Sequence, residues 1–103
     1  MTQKPVTLTD MVEYQTDGIV SKTILNRDSG SVTLFAFDAG QSLSEHTSPF
    51  DALVQVLDGR ADISIGGETV AVSAGEMVVM PADVPHALAA PVPFKMLLTM
   101  LKG

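Results

Sequence analysis

The chain has 103 residues, room for one compact domain spanning 1–103. Hydrophobic residues make up 46% of it and charged ones 17%, a balance that supports an apolar core and argues against disorder. Twelve Asp and Glu against six Lys and Arg give a formal net charge of −6, which removes the basic footprint of a nucleic-acid binder, and the absence of cysteine excludes disulfides and thiolate chemistry.

The N-terminal residues carry no apolar run of the length a secretory signal needs, and no stretch approaches the roughly 20 apolar residues that span a bilayer. No membrane association is expected, and the expected location is cytoplasmic. Residues 5–13 read as a loose segment lying across the domain, with at most one helical turn between Leu8 and Tyr14. Val20 to Asn26 is the first predicted strand, and Arg27-Asp28-Ser29-Gly30 is a turn. Val32 to Asp38 alternates Val32, Leu34 and Ala36 with Thr33, Phe35 and Phe37. Both faces are apolar, which places that strand inside a sandwich or under a partner subunit.

Ala52 to Leu57 is an apolar run interrupted by Gln55, whose amide is expected on the outer sheet face. Asp58-Gly59-Arg60 then leads into Ala61 to Ile65. Gly66-Gly67 predicts a tight hairpin into Thr69 to Val72. Glu76 to Met80 follows, stopped by Pro81, then His86 to Ala90. The last strand runs from Phe94 to Leu101, with Phe94, Met96, Leu98 and Met100 on one face. Short strands broken by turn residues at intervals of roughly ten predict an all-β sandwich or barrel.

His46 and His86 are the only histidines. The first lies in Gly40-Gln-Ser-Leu-Ser-Glu-His46-Thr-Ser48-Pro-Phe-Asp51-Ala52-Leu-Val-Gln-Val-Leu-Asp-Gly59. The second follows Gly75-Glu-Met-Val-Val-Met-Pro81-Ala-Asp83-Val-Pro85. These frames, motif 1 at 40–59 and motif 2 at 75–90, resemble the two motifs of the cupin family, in the small single-domain form. The resemblance implies a double-stranded β-helix, or jelly-roll barrel, whose interior holds a metal, and a homodimer formed by sheet-to-sheet packing. In the family pattern motif 1 supplies His-x-His and a Glu, and motif 2 one more His. Here those positions hold His46, Ser48, Ala52 and His86, so two ligand positions are vacant. Asp83 and Ala90 stand where the family commonly has Gly and Asn.

Two readings of the histidines follow. They are pocket residues hydrogen-bonded to backbone, Ser48 or water, or they hold a divalent Zn, Ni, Fe or Mn completed by water, a ligand or Asp51. Alternation along the strand sets His46 and Ser48 on the same face and argues against Asp51 facing inward. Ser48, Phe50, Met80 and Met96 are the expected pocket residues, with Phe50 capping the mouth. Met77, Met80, Met96 and Met100 are expected to fill the core or soften the pocket. The functional expectation is small-molecule binding in an apolar pocket carrying two histidines, with a weakly held metal. The alternative is a dioxygenase- or isomerase-type metalloenzyme using His46 and His86.

Overall fold

The computed structural model describes residues 4–102. Nine strands follow one short 3-10 turn at Leu8–Asp10: β1 Ile19–Arg27, β2 Gly30–Phe37, β3 Ser42–His46, β4 Asp51–Asp58, β5 Arg60–Ile65, β6 Glu68–Ser73, β7 Met77–Met80, β8 His86–Ala89 and β9 Phe94–Leu101. They form a five-stranded sheet in the order β1-β2-β9-β4-β7 and a four-stranded sheet in the order β3-β8-β5-β6. Every pairing is antiparallel. Among the described residues no helix is long and apolar enough to cross a membrane.

The strands adopt this arrangement because their alternation leaves one apolar face to bury. Along β4, Ala52, Val54 and Val56 are buried and face the second sheet; from that sheet Ala61, Ile63 and Leu88 meet them. One end of the barrel is closed by large rings. Phe37 and Phe94 are both fully buried and stack with centroids 4.5 Å apart. Toward the other end the inward row across the larger sheet is Asn26, Ser31, Met100, Ala52 and Met80, joined by strand register. Ala52 and Ser31 are too small to fill that end, and space remains there.

The outer face of the five-stranded sheet explains the doubly apolar β2. Leu34 and Ala36 are fully buried, and the residue that covers them is Val12 of the same chain, with Leu8 and Met11 packed alongside. Lys95 pins this segment: its Nζ donates to the Thr9 carbonyl at 2.6 Å and lies 4.9 Å above the Tyr14 ring. Tyr14 in turn donates its hydroxyl to Asp58. The N-terminal segment therefore supplies cover that the sequence reading left open to a partner subunit. A neighbouring row, Leu25, Val32, Thr99, Leu53 and Val79, crosses the same face outside that apolar cluster.

Candidate functional site

His46 ends β3 and His86 begins β8, and the two are register partners across that strand pair. Their approach depends on a β-bulge. Leu43 pairs with Leu88, yet three positions later His46 pairs with a residue only two positions earlier on β8, so β3 carries one extra residue between them. Simple alternation from the inward Leu43 would turn His46 to solvent; the inserted residue turns it back. Loop contacts brace the pair. The Asp83 amide donates to the Ser48 carbonyl at 2.8 Å, and the Ala82 amide donates to Asp51 Oδ1 at 2.9 Å. At the far end of the two motifs, the Gly40 amide donates to the Ala90 carbonyl at 2.8 Å. Asp83 takes a φ of 65°, the left-handed turn conformation that a glycine would adopt without strain.

His86 is buried, with 4% of its surface exposed, whereas His46 is exposed. The imidazole of His46 has its Nδ1 2.7 Å from the Ser44 carbonyl, and that of His86 has its Nδ1 3.1 Å from the Val84 carbonyl. A carbonyl oxygen only accepts, so each Nδ1 is a donor, and the two Nε2 atoms are left to meet one another. The two Nε2 atoms face each other at 3.0 Å, with the rings nearly perpendicular. That is hydrogen-bonding distance, and the pair suits either a proton shared between the two rings or a cation held against both nitrogens.

The cavity they border has a volume of about 80 Å³. Ser48, Met80 and Met96, expected from the sequence, border it with the histidines, as do Phe35, Leu43, Ala52, Leu88, Leu98 and Met100. Phe50 does not. It borders a separate, open depression at the β1–β2 turn with Asn26, Arg27 and Ser31, while its amide donates to Ser48 Oγ at 3.2 Å. Asp51 also stays outside, since its carboxylate accepts the Ala82 amide and so ties the loop after His46 to the turn before His86. Met77 lies on the outer face, half-exposed, and fills no core space. Other lining residues were readable too: Leu98 shares the face of Met96 and Met100, and Leu88 shares that of His86.

As a metal site the arrangement is partial. Carbonyl-held Nδ1 atoms and converging Nε2 atoms are what imidazole ligation requires, and 3.0 Å is close to the spacing of adjacent nitrogens around one ion at about 2.1 Å. Ser48 and Ala52 add no strong ligand, and the described residues contain no group of three or more His, Cys, Asp or Glu able to hold a metal. The donor set fits a loosely held ion with most positions left to water or ligand, and does not fit a tight protein cage.

Compared with known proteins, residues 33–100 match the cupin domain family. The whole chain aligns with a conserved protein of unknown function from Streptococcus pyogenes at 41% identity and a TM-score of 0.95, covering 90% of that chain. A cupin 2 conserved barrel domain protein from Leptotrichia buccalis is 42% identical with a TM-score of 0.88, over 91% of this chain and 46% of that one. An uncharacterized protein of Streptomyces coelicolor is 43% identical over 56 residues, 54% of this chain. The matched segment spans 53% of that relative's length, about half. With the family match running from β2 through β9, on a two-sheet barrel that brings both motif histidines to one cavity, the chain belongs to the cupin family.

Proposed function

We propose that this cupin binds a small molecule in the cavity between its sheets, with the paired Nε2 atoms of His46 and His86 as the point of recognition. The observation that carries this reading is the pair of Nε2 atoms 3.0 Å apart, their rings oriented by two carbonyls, at the end of an otherwise apolar cavity. The volume supports a ligand of few heavy atoms. About 80 Å³ is roughly half the ~150 Å³ engineered cavity that takes up benzene, and well below the ~300 Å³ at which drug-sized pockets begin.

A divalent Zn, Ni, Fe or Mn held by His46 and His86 belongs to the same reading. Such an ion, when bound, polarises a ligand oxygen as a Lewis acid. The chain's own residues orient the two nitrogens, through Ser44 and Val84, and place apolar walls on the cavity side of the pair. A second reading, a dioxygenase- or isomerase-type metalloenzyme on the same histidines, is favoured by that ligand-like geometry. It requires remaining ligands from water or substrate, because Ser48 and Ala52 occupy the other motif positions. A homodimer is part of the proposal, with the row Leu25, Val32, Thr99, Leu53 and Val79 as the covered face. The cysteine-free composition fits a reducing compartment such as the cytoplasm.

The test is elemental analysis of protein purified without a histidine tag or added metal, followed by titration with Zn²⁺ and Mn²⁺ and by small alcohols monitored at the imidazole resonances. Weak binding abolished by either His46→Ala or His86→Ala is the expected result. Imidazoles that respond to no ion and no probe overturn the reading.

A further inference from the structure

The histidine cavity carries a second kind of donor in its walls. Among the described residues Met80, Met96 and Met100 border it, whereas Met11 packs against the outer apolar cluster and Met77 lies on the outer face. Two of the three flank one position. Ala52, which lines the same cavity, is the register partner of Met80 on β7 and of Met100 on β9, so the two methionines stand on either side of a side chain that ends at Cβ. Met80 is buried and Met100 half-buried. Each is unbranched, with three rotatable bonds and a polarizable sulfur, and can present that sulfur without backbone movement.

Charge decides which ion suits such a cavity. Its lining holds no Asp or Glu among the described residues, and the chain has no cysteine, so imidazole nitrogen and thioether sulfur are its ligands apart from the Ser48 hydroxyl. The cost of desolvating an ion rises with the square of its charge. A monovalent ion therefore incurs roughly a quarter of the cost that a divalent ion of equal size incurs on meeting apolar walls with no anion to offset it. Thioethers select Cu(I) among the common first-row ions and imidazole binds copper well, whereas harder divalent ions look for carboxylate or water oxygen.

We infer that the cavity is a Cu(I) site, with the Nε2 atoms of His46 and His86 and the thioethers of Met80 and Met100 as its ligands. This rests on the proposed histidine pair and names the class of ion that the pair and its walls prefer. Position 52, where the family pattern has a carboxylate, offers no hard ligand in this chain and is bracketed in the sheet by two soft ones.

The experiment titrates the full chain without oxygen, using Cu(I) kept reduced by ascorbate and buffered by bicinchoninate, and separately Zn²⁺, while following the imidazole and the methionine methyl resonances. Cu(I) is expected to bind at least roughly tenfold more tightly than Zn²⁺ and to shift the methyls of Met80 and Met100. The double substitution Met80→Leu with Met100→Leu nearly conserves volume and is expected to lower Cu(I) affinity about tenfold or more while leaving Zn²⁺ unchanged. Met77→Leu, on the outer face, is expected to change neither. Copper-edge X-ray absorption of the unsubstituted chain, which depends on no variant folding, is expected to show sulfur among the ligands. Cu(I) bound no more tightly than Zn²⁺, a ligand shell without sulfur, or Cu(I) affinity that survives the double substitution overturns the thioether site and leaves the histidine cavity standing. Imidazole resonances that respond to neither ion overturn the Cu(I) site, and with silence toward small alcohols they overturn the histidine reading as well.

Discussion

Gly59 joins β4 to β5 where the chain passes from one sheet to the other, and replacing it with alanine provides a sharp test of the barrel's construction. A Cβ there would lie 2.0 Å from the Pro93 carbonyl oxygen and 3.0 Å from Phe94 Cα, at a φ of +74°. Gly75 supplies the control, because its φ is +89° and a Cβ meets nothing within 4 Å. Gly75→Ala therefore isolates the cost of a left-handed alanine, about 1 to 2 kcal/mol. Gly59→Ala adds the displacement of a backbone that cannot shift without moving the buried, stacked Phe94, a further ~1 to 3 kcal/mol. A total near 4 kcal/mol is a large share of the roughly 5 to 15 kcal/mol that stabilises a domain, and lowers the melting temperature by about 20 °C. Urea unfolding of both variants beside the parent measures the difference. Equal losses in the two would refute the close approach of the β4–β5 link to the start of β9.

Stability should respond unequally to the two histidines. His86→Ala removes a buried ring and its bond to Val84 and is expected to cost about 2 kcal/mol, while His46→Ala, at an exposed ring, costs less than about 1; chemical denaturation compares them. Val12→Ala opens the outer apolar cluster over Leu34 and Ala36, with an expected loss of about 2 kcal/mol and faster amide exchange in β2, and no change in probe affinity at the cavity on the opposite face. Tyr14 is the sole tyrosine and the chain has no tryptophan, so phenolate absorbance reports it alone. Burial, the hydrogen bond to Asp58 and the charge of Asp58 all push its pKa upward. Stability from this group is thus complete below the ordinary tyrosine value of about 10 and declines as pH rises above it. Tyr14→Phe should flatten that alkaline decline in pH-dependent denaturation, and an ordinary phenolate titration in the folded parent would contradict the contact.

Much of the barrel is legible from local pattern. Phe94 to Leu101 alternates so regularly that its bounds coincide with β9, and Gly66-Gly67 forms the hairpin its type predicts, with both φ values positive. Side-chain parity placed Met80 and Met96 toward the interior, since period-two alternation is a property of each strand alone. It failed where a residue's direction depends on a partner. Phe50 lies in a loop, where no period operates, and borders the depression at the β1–β2 turn instead. The bond of Asp51 to the Ala82 amide links residues 31 positions apart and leaves no trace in spacing.

The sequence by itself determined that this chain is a cupin barrel with two histidines in motif positions and two ligand positions filled by Ser48 and Ala52, because turn glycines, strand alternation and residue identity are local. Tertiary structure decided the rest. The β3 bulge that turns His46 inward, the approach of the two imidazoles and the cover supplied by Val12 all arise from pairing between distant segments, whose register is set by mutual packing and not by any one strand's own pattern.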